Sequence, residues 1–371
     1  MSLRLRQDFR GLALRKGTRY YARCSICRRD FHDGEGRFLR LTSNPTPRGD
    51  RTKEALWQAR IEWEARIRSA LRRRALEGTL FGAVLHGAFW VCGLWGRGVL
   101  NANSPVVTRR QFNFERLPGA FHGFSILHVS DFHFNGRAGF LDAVRRAIEP
   151  IQADLCVLTG DFRWDQAAAC NWVYAGLDAL LPVLNARYGI VAILGNNDVS
   201  DFVDAFALRG IRTLVNEAME LRVGGDTIWV AGVDDPHDFR CDSVEEAVRW
   251  VPRDAFTLLL AHSPEDIAQA AAHNVDLYLC GHTHGGQIRV PFLGALRTNA
   301  RCARRYCRGR WQFGSVLGYT SAGVGTTTAP VRFNCCPEVT VIELRRADSV
   351  SARGTTEPSL LSATVRGSED Q

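Results

Sequence analysis

Six short aliphatic runs alternate with amphipathic stretches between residues 118 and 346. The runs read FSILHVSD, LCVLTGD, YGIVAILGNND, DTIWVAGVDD, FTLLLAHSPE and VDLYLCGHTH. Apolar runs of this length that end in Gly, Asp or Asn are typical of buried strands, and the stretches between several of them have helical spacing. The pattern therefore predicts an α/β domain over residues 118–346.

The chain before residue 118 has a different pattern. Residues 1–53 are rich in Arg with scattered Gly and Pro, which predicts a basic, partly disordered extension. Residues 54–100 are expected to form an amphipathic helix followed by an apolar, membrane-associated segment. The apolar positions that recur at helical spacing between the arginines are Trp57, Ile61, Trp63, Ile67 and Leu71.

The run LFGAVLHGAFWVCGLWG at residues 80–96 is at the lower limit of length for a membrane span. It could span the membrane or lie on its surface. Alternatively, residues 54–96 could form an ordinary helical pair that packs on the domain. The polar stretch at 347–371 predicts a disordered tail.

Charge and cysteine content bear on the partners and the compartment. The net charge is +8, but residues 1–78 alone carry 18 Arg and 2 Lys against 9 acidic residues. The basic character therefore belongs to the N-terminal part, where it favours an anionic membrane surface over nucleic acid because the arginines alternate with Trp and Ile. Eleven cysteines, with Cys156 and Cys280 inside apolar runs, favour a reducing compartment.

Five of the six aliphatic runs end in side chains that can bind a metal ion. In open α/β sheets the ligands bind at the carboxyl ends of the strands, so we expect these side chains to converge. A mixture of imidazole, carboxylate and amide groups suits Mn²⁺, Fe or Zn²⁺. The residues are Asp131, His133, Asp161, Asn196, Asn197, His262, His282 and His284.

The order D-x-H, GD, GN, H and GHxH over residues 120–346 resembles the calcineurin-like metallophosphoesterases. The stretch GHTHGGQIRVPFLGAL is similar to the bacterial branch that includes membrane-associated phosphodiesterases and UDP-2,3-diacylglucosamine hydrolases. The resemblance implies a sandwich of two mixed β-sheets flanked by helices, here with an N-terminal helical extension. It also implies hydrolysis of a phosphoester or phosphoanhydride by a hydroxide that bridges two divalent ions, Mn²⁺ before Fe or Zn²⁺.

The resemblance assigns a role to each predicted ligand. Asp161 would bridge both ions. Glycines around the two histidines of GHTHGG would let the backbone bend and approach the phosphate. The first ion would be bound by Asp131, His133 and His284, and the second by Asn196, His262 and His282.

The third motif departs from the family, which usually has a histidine where this chain has Asn197 in GNND. Asparagine cannot protonate a leaving group, although it can bind a phosphoryl oxygen as a hydrogen-bond donor. A leaving phosphate needs no proton, so Asn197, as a catalytic and substrate-binding residue, favours a pyrophosphate over an alkyl diester.

These arguments predict a hydrolase of a lipid-linked phosphorylated substrate at the inner membrane, with its catalytic domain on the cytoplasmic face. The specific prediction is UDP-2,3-diacylglucosamine hydrolysis in lipid A biosynthesis. The alternatives are a broad-specificity phosphodiesterase or phosphatase, and an inactive membrane scaffold.

Two further features remain open. His237, which follows the fourth run, is either a solvated loop residue or a contact to substrate. Cys24 and Cys27 with His32 hint at zinc, but no second CxxC follows at finger spacing.

Overall fold

A computed structural model describes residues 52–347 and, for residues 67–81, 84 and 85, the backbone only. The helices are α1 (Lys53–Val91), α2 (Trp95–Ala102), α3 (Phe140–Ile148), α4 (Asn171–Leu180), α5 (Phe202–Ala207), α6 (Val244–Ala247) and α7 (Ile267–Ala272). The strands are β1 (Val106–Phe114), β2 (Ser125–Val129), β3 (Gln152–Ala153), β4 (Leu155–Thr159), β5 (Asn185–Ala186), β6 (Ile190–Ile193), β7 (Ile211–Thr213), β8 (Glu217–Val223), β9 (Asp226–Gly232), β10 (Thr257–Leu260), β11 (Leu277–Cys280), β12 (Arg289–Val290), β13 (Gly294–Ala295), β14 (Gly309–Phe313), β15 (Val316–Thr320) and β16 (Glu338–Arg346).

Two six-stranded mixed sheets form the body of the protein. One has the strand order β1-β16-β2-β4-β6-β7 and the other β14-β15-β11-β10-β9-β8. The central strands β2, β4 and β6 run parallel to one another, as do β9, β10 and β11. The predicted α/β sandwich of two mixed sheets flanked by helices is confirmed.

Both faces of the central strands are buried, which explains why their sequences read as continuous apolar runs. Alternate residues point to opposite faces of a strand. In β4, Leu155 and Val157 enter the core between the sheets, whereas Cys156 and Leu158 pack under α3 and α4. In β11, Leu277 and Leu279 face the other sheet, and Tyr278 and Cys280 face α6 and α7.

The strand β1 belongs to the first sheet although it lies ahead of residue 118, where the sequence pattern began the α/β domain. It pairs in parallel with β16 along nine residues, from Val106 opposite Glu338 to Phe114 opposite Arg346. Most of β1 is exposed, and only Phe112 and Phe114 enter the core. Polar and apolar residues alternate only at its end, from Gln111 to Phe114, and the preceding residues are mostly polar, so the strand lacks the aliphatic run that marks the central strands.

The helix α1 is one continuous element whose first turns pack on the domain. Among its described side chains, Leu56, Arg60 and Glu64, spaced four residues apart, are buried. Of the predicted apolar positions, Trp57 and Trp63 pack partly buried against the domain, whereas Ile61 is 39% exposed. The buried face therefore includes two charged residues, Arg60 and Glu64, which have partners inside the domain.

Within residues 52–347, no helix combines the length and the hydropathy that crossing a membrane requires. The predicted basic extension with Cys24 and Cys27, and the tail from residue 348 onward, lie outside the described residues.

Candidate metal centre

Loops from five strands bring the predicted ligands together where the two sheets meet. Asp131 and His133 follow β2, Asp161 follows β4, and Asn196 follows β6, all in the first sheet. From the second sheet, His262 follows β10, and His282 and His284 follow β11. Each of these side chains is buried. The sheets therefore meet at their carboxyl-terminal edges, as expected for a ligand site in an α/β fold.

The ligand atoms form two groups, and within each group all atoms lie within 4.8 Å of one another. The groups are Asp131, His133 and His284, and Asp161, His262 and His282. The first group has the residues that the resemblance implied for the first ion, whereas the second contains Asp161 beside His262 and His282 and does not include Asn196.

Five of these residues have backbone angles in the left-handed region. The φ values are 57° for Asp131, 47° for His133, 54° for Asp161, 70° for His282 and 49° for His284. A residue with a side chain pays roughly 1–3 kcal/mol for such a conformation, which persists only where the surrounding structure imposes it. Concentrated strain of this kind is typical of a functional site.

Two glycines allow the loops to approach so closely. A Cβ atom on Gly281 would overlap Ser130 and the carboxylate of Asp131, and a Cβ atom on Gly195 would overlap Asp161. The glycine ahead of the two histidines is therefore required for the contact between the β2 and β11 loops.

In the first group, the Nε2 atoms of His133 and His284 are 3.0 Å apart. Oδ1 of Asp131 lies 3.6 Å from Nε2 of His284 and 3.9 Å from Nε2 of His133. Asp161 approaches this group as well, with Oδ2 3.5 Å from Nε2 of His133. Its other oxygen, Oδ1, lies 3.4 Å from Nε2 of His262. Asp161 thus stands between the two groups, where a bridging ligand would be needed.

The second group offers lone pairs to a cation. Nδ1 of His262 donates to the Thr159 carbonyl at 2.7 Å, and Nε2 of His282 donates to the Asn299 carbonyl at 2.9 Å. In the neutral rings these bonds leave a lone pair on Nε2 of His262 and on Nδ1 of His282, which are 3.2 Å apart. Oδ1 of Asn196, another acceptor, is 3.1 Å from Nε2 of His262. Acceptors that face one another need a shared cation, so these residues fit a metal ion.

The first group fits in part. His133 follows the same rule, because its Nδ1 faces the carbonyls of Arg163 and Trp164 at 3.2 and 3.0 Å. Nδ1 of His284 instead lies 3.2 Å from Nη2 of the buried Arg332, which is a donor. A neutral His284 then carries its proton on Nε2, facing His133, and would have to give up that proton to bind an ion.

The charges of the site are strongly coupled. Burial alone would raise the pKa of Asp161, but His262 and His133 outweigh burial and hold it below its usual value. Burial would lower the pKa of His262, yet the carboxylate of Asp161 raises it to about 10. Burial followed by neighbouring imidazoles lowers the pKa of His282 and of His284. The carboxylate therefore demands a positive charge beside it, which a divalent ion would supply.

Asp198, the last residue of GNND, binds the backbone of the loops that carry the candidate ligands and does not contact the ligand side chains. Its Oδ2 accepts from the backbone N–H groups of Gly195 and Asp161 at 2.7 and 2.8 Å. Its Oδ1 accepts from those of Phe162 and Arg163 at 2.9 and 3.2 Å. One buried carboxylate thus ties the β4 loop to the β6 loop. The motif contained this signal, but the sequence could not show which amides the carboxylate meets.

Asn197 contacts the bridging position. Its side-chain Nδ2 donates to Oδ2 of Asp161 at 2.7 Å, and its backbone N–H donates to Oδ1 of the same carboxylate at 2.9 Å. Asn197 also lines the cleft above the site. Its side chain is therefore directed at Asp161, while the sequence analysis expected it to reach a phosphoryl oxygen.

His237 is a buried neighbour of the centre, so its interpretation as a solvated loop residue is wrong. Its ring centroid lies 4.2 Å from that of His282, and its Nδ1 is 2.6 Å from Oε1 of Glu265. His237 is buried and does not line the cleft, and Glu265 is half-buried. Burial would lower the pKa of His237, but the carboxylate of Glu265 outweighs burial and raises it.

The helix α1 reaches this centre through two charged side chains that sequence reasoning did not identify as functional. Arg60 forms an ion pair with Asp234 and donates to the carbonyls of Gly195 and Asp198 at 3.4 and 3.0 Å. Glu64 accepts from Nε of Arg60 at 3.0 Å, and from the backbone and hydroxyl of Ser200 at 2.8 Å each. The buried face of α1 therefore holds both ends of the loop that carries Asn196.

A cleft of about 330 Å³ opens above the two groups. Ligand side chains form its floor, and residues 286–288, 296–299 and 327–328 form its wall. This space can admit a phosphorylated group to the buried ligand atoms.

Comparison with known proteins gives the same picture. The family model described as calcineurin-like phosphoesterase matches residues 124–286. The uncharacterized metallophosphoesterase YkuE of Bacillus subtilis (strain 168) is 32% identical over 286 residues, which cover 74% of this chain and 97% of that protein. Phosphodiesterase YaeI of Escherichia coli (strain K12) is 32% identical over 232 residues, 60% of this chain and 82% of that protein. A bovine protein described as a transmembrane protein with metallophosphoesterase domain is 29% identical over 272 residues, 67% of this chain and 60% of that protein.

Proposed function

The chain belongs to the calcineurin-like phosphoesterases, metal-dependent hydrolases with a dinuclear centre, and we propose from this premise that it hydrolyses the pyrophosphate bond of a lipid-linked substrate. One observation supports hydrolysis above all: two groups of buried ligand atoms face one another on either side of Asp161. Two divalent ions bound there would polarise the phosphoryl oxygens and activate water.

The residues of the chain itself orient the ligand side chains and do not transfer a proton. The carbonyl groups behind His133, His262 and His282 orient the rings, and Asp198 holds the loops that carry Asp161 and Asn196. Within the described residues that line the cleft, Arg297 is the one ionisable side chain outside the ligand groups. An arginine does not release a proton at neutral pH.

This lack of a proton donor in the described cleft favours a leaving group that leaves as an anion. A nucleoside phosphate released from a pyrophosphate does so, whereas an alkoxide from an ordinary diester needs a proton. Asn197, in the position where the family usually has histidine, points to the same class of substrate. Arg297 can meet the negative charge of such a substrate at the wall of the cleft.

We propose UDP-2,3-diacylglucosamine as the specific substrate, Mn²⁺ as the metal, and the cytoplasmic face of an anionic inner membrane as the place of action. The lipid A pathway supplies a substrate of the required kind, a nucleoside pyrophosphate attached to acyl chains. Fe and Zn²⁺ suit the same mixture of imidazole, carboxylate and amide ligands.

A product assay with the full chain tests the proposal. UDP-2,3-diacylglucosamine, CDP-diacylglycerol, a cyclic nucleotide and a nitrophenyl diester are each incubated with Mn²⁺, Fe²⁺ or Zn²⁺. We expect release of UMP from the first substrate with a kcat/KM at least about tenfold above that on the nitrophenyl diester. Preference for the nitrophenyl diester or the cyclic nucleotide would instead show a broad-specificity phosphodiesterase.

The matched control is Asp161→Ala, since Asp161 approaches both groups of ligand atoms. We expect it to lose more than nine tenths of the activity on every substrate. Activity retained by this variant at saturating metal would contradict a dinuclear mechanism.

A further inference from the structure

Exposed apolar side chains are concentrated in two segments. Among the described residues fourteen large hydrophobic side chains are exposed, and eight of them fall within residues 90–100 and 290–296. The eight are Trp90, Val91, Leu94, Leu100, Val290, Phe292, Leu293 and Leu296. Scattered single residues of this kind are ordinary, whereas a concentrated set marks an interaction site.

The two segments are parts of one surface. The ring of Phe89, in the last turn of α1, stacks on Phe333 at a centroid distance of 4.8 Å. The backbone of Phe333 in turn pairs with Gln287 and Arg289 at 3.1 and 3.0 Å. Phe333 therefore links the end of α1 to the hairpin formed by β12 and β13. We call the eight exposed residues together the apolar rim.

The tip of the hairpin projects its apolar side chains into solvent. Pro291, Phe292 and Leu293 connect β12 to β13, and Phe292 is fully exposed with a φ of 67°. A bulky residue rarely adopts this left-handed conformation. The backbone of this loop is thus strained, and the exposed Phe292 side chain makes no buried contact with the described residues that would offset the strain.

The hairpin also forms a wall of the catalytic cleft. Ile288, just ahead of β12, and Leu296 and Arg297, just after β13, line the cleft above the ligand groups. Anything that covers the hairpin tip therefore lies next to the mouth of the cleft.

The sequence that follows the hairpin is strongly basic. Residues 297–310, RTNARCARRYCRGR, contain six arginines and no acidic residue, and all six arginines are exposed. Arg308 reaches back to Gly285, beside the cleft. An apolar tip followed in the chain by exposed arginines, of which Arg297 directly adjoins the hairpin, is complementary to a bilayer with anionic head groups, since arginine binds the phosphates while the tip enters the acyl region.

We propose that the apolar rim docks on an anionic lipid bilayer, with the β12–β13 hairpin inserted and the cleft facing the head groups. This inference rests on the proposed action on a lipid-linked substrate, because it explains how a phosphate at the membrane surface reaches the ligand groups. It places membrane contact on the catalytic domain itself, in addition to the basic N-terminal part.

Vesicle sedimentation with the full chain tests the surface. The vesicles contain phosphatidylcholine alone or phosphatidylcholine with about one third phosphatidylglycerol. The test variant is Phe292→Ser with Leu293→Ser, since neither side chain lines the cleft. The matched control is Leu208→Ser with Trp250→Ser, which removes two apolar side chains of similar exposure, 88% and 82%, from other elements.

A high salt concentration distinguishes insertion of the hairpin into the bilayer from electrostatic attraction between the N-terminal arginines and anionic lipid. At about 0.5 M NaCl the attraction between exposed arginines and anionic lipid is largely screened, so apolar insertion dominates the remaining binding. We expect wild-type protein and the control variant to bind anionic vesicles equally, and the hairpin variant to bind about tenfold or more weakly under this condition. Slower amide hydrogen exchange in residues 289–296 when vesicles are added would accompany binding.

Two outcomes would overturn the proposal. One is equal vesicle binding by the hairpin and control variants, and the other is unchanged hydrogen exchange in the hairpin when vesicles bind. Turnover of a soluble nitrophenyl diester is measured in parallel, and we expect both variants to retain it. Failure of the proposed pyrophosphate activity would leave vesicle binding intact, so the two failures can be told apart.

Discussion

Replacement of Arg60 by alanine tests whether the buried face of α1 supports the catalytic domain. Arg60 is fully buried, and so is Asp234, its partner in an ion pair. Without the guanidinium, the carboxylate keeps one backbone donor, the N–H of Asp235 at 2.7 Å, while its Oδ2 has no hydrogen-bond partner. Two carbonyls, those of Gly195 and Asp198, would lose a donor as well.

The size of the effect follows from the uncompensated charge. Removing one partner of a buried ion pair costs about 3–5 kcal/mol, because the other charge remains in the protein interior. We therefore expect Arg60→Ala to lower the free energy of unfolding by about 3–5 kcal/mol, measured by urea denaturation.

Arg66→Ala is the control on the same helix. Its side chain is 52% exposed and lies 3.7 Å from Glu62, so the loss should be below about 1 kcal/mol.

The loss should depend on pH in a defined direction. Burial raises the pKa of Asp234, and Arg60 opposes that rise, so the carboxyl in Arg60→Ala has a folded-state pKa that is higher still. A buried carboxyl whose pKa is raised in the folded state destabilises the protein fully at a pH above that pKa. This cost decreases as the pH falls and disappears below the pKa of the unfolded state, about 3.9. The deficit of Arg60→Ala should therefore shrink as the pH falls towards the unfolded value of about 3.9.

Equal losses in Arg60→Ala and Arg66→Ala, or a deficit that grows as the pH falls, would refute this reasoning. A second readout is the apparent affinity for Mn²⁺ in the activity assay. It should weaken in Arg60→Ala, because the loop that carries Asn196 loses its support at both ends.

Three further predictions concern the centre itself. Asn197→His should raise kcat/KM on an alkyl diester relative to a pyrophosphate, because it adds a proton donor for a poor leaving group, and equal changes on both substrates would count against a role at the leaving group. Asp198→Asn should lower the free energy of unfolding by about 3 kcal/mol or more, because an amide nitrogen cannot accept from two of the four backbone donors, and a loss below about 1 kcal/mol would contradict this. Chelation of metal should lower Tm, and Mn²⁺ at about 100 times its Kd should raise the free energy of unfolding by about 2.7 kcal/mol. A Tm that does not respond to metal would speak against a metal site in the folded state.

The chemistry of the centre could be predicted from the sequence because it depends on short-range patterns. An aliphatic run followed by Asp131 or by Gly160 and Asp161 is local information, and so is the spacing of His282 and His284. The carboxyl ends of parallel strands lie at one edge, so convergence of these residues follows from the pattern. Cys156 and Cys280, which lie inside two of the apolar runs, are buried for the same reason, and each is 0% exposed.

Other features depend on residues that are far apart in the chain. The β1 strand joins the sheet through β16, more than two hundred residues away, and its own sequence has no aliphatic run. The partners of Asp198 and the donor at His284 could not be read from the motifs that contain them.

The buried face of α1 shows most clearly which features the sequence pattern could not predict. The amphipathic pattern alone predicted a helix within residues 54–100, and a helix begins at Lys53. Apolar residues of that pattern, Trp57 and Trp63, pack on the domain, but the pattern did not show that Arg60 and Glu64 would be buried beside them. Burial of a charge is costly unless a partner is provided, and the partners, Asp234 and Ser200, lie more than 130 residues further along the chain. The sequence by itself determined the helix and the candidate ligands at the strand ends, whereas only the packed domain, by supplying those distant partners, decided that two charged side chains of the helix are buried against the metal loop.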